Sequence, residues 1–207
     1  MSMTALARSE RMLLCDLMLE LGPDAPTLCE GWSVIDLAAH LVVREHDLWA
    51  APGIVVGGPF RPMLEQAMRR RRGQGLERLV EIVRGGAPRI YRLVPSGAQL
   101  AEFFVHHEDV RRANGSEPRH GPAELDEALA RLIRATGARL LSRVESGVDV
   151  VWNGGVLYRH GAEPRAVLSG PPGELILYLM GRRSAARVQL SGDSAAVEAL
   201  EKAKLGI

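Results

Sequence analysis

The sequence predicts an α+β chain, with an all-helical part over residues 1–146 and a small α+β part over residues 147–207. Three observations carry that prediction. Apolar residues recur at three- and four-residue spacing through most of residues 4–146, which marks helices with one buried face. Glycine and proline cut this pattern into pieces of helix length. After Gly147 the texture changes to short β-rich runs around Asn153-Gly154-Gly155, a hairpin signal.

Each element has its own reason. Residues 4–21 read as a helix on the spacing of Leu6, Leu13, Leu14, Leu17, Met18 and Leu21, and Gly22-Pro23 stops it. After a loop, Ser33 caps a second helix, with Asp36 three residues on as a capping-box variant. That helix is expected to run to Ala50, before Ala51-Pro52-Gly53. Residues 53–61 read as a loop, 62–72 and 76–84 as helices, and 85–88 as another loop. Residues 98–113 form a strong helical pattern that ends at Asn114-Gly115, a left-handed C-cap signal. Pro122 and Glu124 open a long helix expected to reach Ser146. Strands are expected over 148–152, 156–158, 165–169 and 187–190, and helices over 171–180 and 194–204. No internal repeat interrupts this order.

Composition bounds the function. The 207 residues suffice for one large domain or two small ones. Hydrophobic residues at 46% and charged residues at 25% argue against global disorder. A net charge of +1 leaves no excess to draw nucleic acid or anionic lipid, and 4% aromatics argue against a base-stacking platform. Two cysteines, Cys15 and Cys29, make neither a disulfide framework nor a four-cysteine zinc site. Residues 1–10 lack a signal-peptide layout, and no apolar run approaches the roughly 20 residues of a membrane helix. A soluble cytoplasmic protein without nucleic-acid or membrane partners is therefore expected. The chain has no P-loop, dinucleotide fingerprint or G-x-S-x-G elbow.

The most informative stretch is Glu102 to Asp109. Glu102 and His106 are four apart and share a helix face, amid Leu100, Ala101, Phe103, Phe104 and Val105. That setting buries them, and a buried carboxylate needs a cation, hydrogen bonds or a metal. Two readings stay open: metal ligands converging from one turn, or a Glu–His hydrogen bond at a partly wet helix edge. His40 is the natural third ligand from a facing helix. Periodicity instead sets it with Ser33, Asp36, Arg44 and Asp47 on a polar stripe, either a solvated face or the lining of an internal site with Asp36 or Asp47 orienting the ring. His46 reads as a surface or packing residue, His107 as pointing away from His106, and His120 and His160 as turn residues. Cys29 is a small buried hydrophobe or a thiol near a helix start. The arginines of residues 69–72 read as a solvated helix end.

The run Pro26-Thr27-Leu28-Cys29-Glu30-Gly31-Trp32-Ser33-Val34-Ile35-Asp36-Leu37-Ala38-Ala39-His40-Leu41 resembles the N-terminal signature of the mycothiol-dependent maleylpyruvate isomerase family. That family belongs to the DinB-like superfamily of metal-binding four-helix bundles. Glu102 to Gly115, with its E-x-x-x-H, resembles the family's second metal motif, and residues 170–200 resemble the small α/β domain that follows the bundle. The first-helix and motif wording is closer to an uncharacterised actinobacterial branch than to the isomerase proper.

The resemblance implies a metal on His40, Glu102 and His106, with Asp36, Arg44 and Asp47 as a candidate wall of the site. Two histidines and one glutamate leave open positions, which suits catalytic zinc, with iron or nickel possible on the same ligands. It also implies mycothiol as cosubstrate, its thiolate adding to an activated double bond of a small substrate, allowing rotation, and leaving. Arg182 or Arg183 is the expected carboxylate clamp, with a surface arginine near a helix end as the plainer reading. Two other readings stand beside the enzyme: a non-catalytic metal- or thiol-binding protein, and a helical interaction domain without metal.

Overall fold

Local capping sets the first helices. In the computed structural model, Ser2 caps α1 (Met3–Leu21) by accepting from the Ala5 N–H at 3.2 Å, and Gly22, at φ 85°, ends it. Asp36 reaches back to the Ser33 N–H at 3.1 Å, so the expected capping box opens α2 (Val34–His46). This helix stops short of Ala50, because Asp47 leaves helical geometry and its carboxylate is gripped by Arg71 at 2.7 and 2.8 Å. Then follow α3 (Arg61–Arg72), α4 (Leu76–Gly85) and α5 (Ser96–Ala113). The Asn114 side chain donates to the Val110 carbonyl at 2.7 Å, and Gly115 takes φ 79°, which fits the expected cap. The structure describes residues 1–47, 49–50, 61–88, 94–119, 121–163 and 165–206. The loop expected at 53–61 lies outside them apart from its last residue, as does His120.

The chain divides into two compact units, Ser2–Glu117 and Pro118–Ile207 with Met1. In the first, α1 packs on α4 and α5, and α2 packs on α3 and α4. Leu14, Met18, Leu37, Leu41, Leu79 and Phe103, drawn from α1, α2, α4 and α5, are fully buried in one cluster. Each such side chain contributes about 1.5–3 kcal/mol relative to exposure. This is the expected helical bundle.

The second unit opens with α6 (Ala123–Leu140) and holds β1 (Gly147–Trp152), β2 (Gly155–His160), β3 (Arg165–Ser169), α7 (Pro172–Leu179), β4 (Gln189–Gly192) and α8 (Ser194–Lys202). The sheet order is β2-β1-β3-β4, with β1–β2 and β3–β4 antiparallel and β1–β3 parallel. The expected hairpin forms, and its turn is two residues, Asn153 and Gly154 at φ 48° and 74°, because Gly155 already pairs with Trp152.

The domain boundary differs from the one expected after residue 146. The apolar face of α6 packs on α7 and β2, and the compact unit that holds this helix begins at Pro118. Gly137 makes the approach possible, because a Cβ there would stand 2.4 Å from the Tyr158 ring of β2. The helix also ends at Leu140 instead of 146, and Leu141 to Val144 form a turn. β4 starts two residues later than expected, because the Arg187 N–H is taken by Glu174 at 2.7 Å and not by a strand.

Candidate metal centre

Helix α2 carries His40, and α5 carries Glu102 and His106. Their donor atoms converge: His40 Nε2 and His106 Nε2 each lie 3.4 Å from Glu102 Oε1. The two imidazoles meet edge to face, with ring centroids 5.6 Å apart. Arg44, one turn after His40, places its Nε 3.2 Å from the same Glu102 oxygen. Yet Glu102 Oε1 is buried and has no hydrogen bond of good geometry, its neighbours standing 3.2–3.4 Å away. An unsatisfied buried carboxylate oxygen between two imidazole nitrogens is costly unless a cation takes their place around it. Donors bound at about 2.1 Å on a tetrahedral ion stand about 3.4 Å apart, which is the spacing seen here. The residues present therefore fit a divalent metal, and the donor set of two imidazoles and one carboxylate suits zinc, iron or nickel alike. The three side chains keep 12%, 15% and 11% exposure, sheltered but reachable by a small ligand.

Neighbouring groups fix the rings. His106 Nδ1 lies 2.9 Å from Asp109 Oδ2, a carboxylate–histidine pair that directs Nε2 toward Glu102. Trp32 packs on the His40 ring with centroids 5.0 Å apart. Burial raises the cost of ionising Glu102, but His106, His40 and the Arg44 guanidinium outweigh it and hold its carboxyl well below the ordinary range. Burial disfavours a charged His106, yet Asp109, Cys29 and Glu102 reverse the balance and hold its proton well above the ordinary histidine range. For His40 burial prevails over Glu102, and its pKa is lowered.

The polar stripe on α2 is neither a solvated face nor a set of ring orienters. Arg44 faces Glu102, whereas Asp36 accepts from Arg72 at 2.9 Å and Asp47 is held by Arg71, both from α3. The arginine run of residues 69–72 is therefore in part an anchor of α3 on α2. His107 points away from His106, as expected, and pairs with Glu10 at 2.9 Å. His160 ends β2, and its Nε2 meets the Val144 carbonyl at 2.9 Å. Sequence reasoning missed the grouping of Cys29 with Asp109, whose only signal was the proximity of each to a histidine-bearing motif. Arg182 and Arg183 follow α7 in the second unit. Arg182 donates to the Met180 carbonyl at 2.8 Å, and Arg183 donates to the carbonyls of Leu200, Glu201 and Ala203 at the end of α8.

Residues 6–106 match the family described as the mycothiol maleylpyruvate isomerase N-terminal domain, a span that holds His40, Glu102 and His106. The N-terminal region of this chain is similar to that family over those residues. Two solved structures share the fold: a mycothiol-dependent maleylpyruvate isomerase, at TM-score 0.62, and a histidine-to-alanine mutant of such an enzyme, at 0.61. Each is 18% identical to this chain, with 92% of both chains covered. No curated protein matches it. At that identity the isomerase structures support the fold, and the likeness to the family rests on the matched residues. No described helix is long and apolar enough to cross a membrane.

Proposed function

We propose that the chain is a cytoplasmic, metal-dependent enzyme that uses a low-molecular-weight thiol, mycothiol, to isomerise or to transfer the thiol to a small organic substrate. The observation that carries this reading is the buried, unbonded Glu102 Oε1 set between His40, His106 and Arg44. A divalent metal held there supplies Lewis acidity, which favours the thiolate form of a bound thiol at neutral pH.

The protein's own residues do the rest. Asp109 holds Nδ1 of His106 and leaves Nε2 for the ion. Trp32 lies against the His40 ring in a tilted contact and supports its position. Arg44 keeps a positive charge beside Glu102, where it favours an anionic thiol or an enolate formed from the substrate. Arg182 or Arg183 serves as the carboxylate clamp in this proposal, and both guanidiniums also donate to backbone carbonyls.

Zinc is the metal proposed for this donor set, which leaves an open position and accepts iron or nickel as well. The test is metal content by elemental mass spectrometry on protein purified without a metal-affinity tag, wild type beside His106→Ala. About one equivalent, lost in the variant and accompanied by thiol-dependent turnover, is expected. Stoichiometric metal retained in His106→Ala overturns the site. Metal bound without faster alkylation of a bound thiol favours the non-catalytic binding protein. No metal in either protein, even after incubation with zinc, leaves the helical interaction domain.

A further inference from the structure

Cys29 lies beside the metal-capable residues but is not one of their three donors. Its loop is pinned in place: the Leu28 N–H donates to the Asp109 carbonyl at 3.1 Å, and Thr27 Oγ1 accepts from the Cys29 N–H at 3.1 Å and donates to the Trp32 carbonyl at 2.9 Å. This anchoring sets Cys29 Sγ 3.2 Å from Asp109 Oδ2 and 3.9 Å from His106 Nδ1, while Nδ1 and Oδ2 are 2.9 Å apart. Asp109 is fully buried and His106 nearly so, whereas Cys29 is half-buried. The three donors thus converge from a clamped loop and one helix.

We propose that Cys29, Asp109 and His106 Nδ1 form a second metal site, selective for a thiophilic divalent cation such as cadmium or excess zinc. Sulfur at about 2.3 Å and nitrogen or oxygen at about 2.0–2.1 Å on a tetrahedral ion place sulfur about 3.5 Å from its partners. The observed 3.2 and 3.9 Å bracket that spacing. Binding displaces the thiol proton and the Nδ1 proton to solvent, and no electron changes hands. The soft donor discriminates against magnesium and calcium. Because the ring presents Nε2 to Glu102 and Nδ1 to Cys29, ions in both donor sets share one imidazolate, and neither needs the ring to turn. The other cysteine cannot contribute: Cys15 is fully buried on α1, with Sγ against the Val80 carbonyl at 4.0 Å.

The site stands independently of the catalytic reading, and the test separates them. Full-length, metal-stripped protein is titrated with Cd²⁺ alone while the ultraviolet cadmium–thiolate charge-transfer band is followed. Zinc content is measured on the same variants. Wild type is expected to develop the band to saturation with one thiolate-bound ion. Cys29→Ser and Cys29→Ala lose it while keeping wild-type far-ultraviolet circular dichroism. Asp109→Asn weakens Cd²⁺ binding at least about tenfold. His40→Ala keeps the band, because it removes a donor of the other set only. Absence of the band in wild type, its persistence in Cys29→Ser, its loss in His40→Ala, or unchanged affinity in Asp109→Asn overturns the second site. Failure of the Glu102-centred site reads differently: zinc content is then the same in wild type and His40→Ala, and the cadmium band is unaffected.

Discussion

His106 is engaged on both sides of its ring, and its titration follows from that. Without metal, Asp109, Cys29 and Glu102 stabilise its imidazolium against the cost of burial, so its proton stays well above the ordinary range. Burial keeps His40 neutral, and Glu102 is already ionised. A metal entering near neutral pH therefore displaces about one proton, the one on His106. The sign follows: affinity rises with pH, because hydroxide removes a competitor, and falls as His106 becomes more fully protonated. Zinc titration calorimetry of Cys29→Ser, which lacks the second set's thiol, in buffers of different ionisation enthalpy is expected to report about one proton released at pH 7 over the first equivalent. A value near zero would mean that His106 is already neutral. Asp109→Asn is expected to keep the fold but weaken zinc binding by about 10- to 100-fold, read by competition with a chromophoric chelator. An unchanged affinity would show that Asp109 does not orient the ring. The E-x-x-x-H spacing made Glu102 and His106 visible in the sequence. Asp109 escaped because an i, i+3 partner of a histidine looks no different from an ordinary surface aspartate.

Among the elements, α5 departs most from the simple amphipathic pattern. Its second half buries His106, His107, Glu108 and Asp109 in succession, all round the helix. Each charge is matched: His107 with Glu10 of α1, Glu108 with Arg111 and Arg112, and His106 with Asp109. Arg11 of α1 extends the scheme, binding Glu45 of α2 at 2.5 and 2.6 Å and the Val83 carbonyl of α4 at 2.8 Å while lying 4.0 Å from the Phe103 ring centroid of α5. One side chain thus ties four helices around the core. Arg11→Ala strands a buried Glu45 and is expected to cost about 3–5 kcal/mol, seen as a lower denaturant midpoint. Arg11→Met with Glu45→Leu removes both charges at similar volume and is expected to recover most of that loss. A double variant as unstable as Arg11→Ala would show that Arg11 acts through its stacking and its carbonyl bond instead. Helix existence was legible from apolar spacing, and caps from Ser33, Asn114 and Gly22. Helix ends were not where long-range partners decide them: Arg71 on Asp47 ends α2, and Glu174 on Arg187 delays β4. Such partners lie 24 and 13 residues away and leave no local mark.

Across the whole molecule, every donor of both metal-capable sets lies within Ser2–Glu117. The unit has its own buried cluster and its own caps, and the helix after it belongs elsewhere. The sequence could not place that boundary, because α6 has the same amphipathic period as the bundle helices and only packing reveals which surface its apolar face meets. Leu125, Ala128, Leu129, Leu132 and Ile133 are buried on α6, which packs on α7 and β2. A fragment of residues 1–117 is therefore expected to fold and to bind zinc with the stoichiometry of the full chain. A fragment of residues 1–146 carries the same ligands but leaves that apolar face uncovered, and it is expected to self-associate. Size-exclusion chromatography with in-line light scattering, followed by metal analysis of each peak, distinguishes the two. A monomeric, stable 1–146 fragment beside an unfolded 1–117 fragment would return α6 to the bundle. Binding of zinc by a folded 1–117 fragment without thiol-dependent turnover would place the metal in the first unit and make residues 118–207 necessary for turnover.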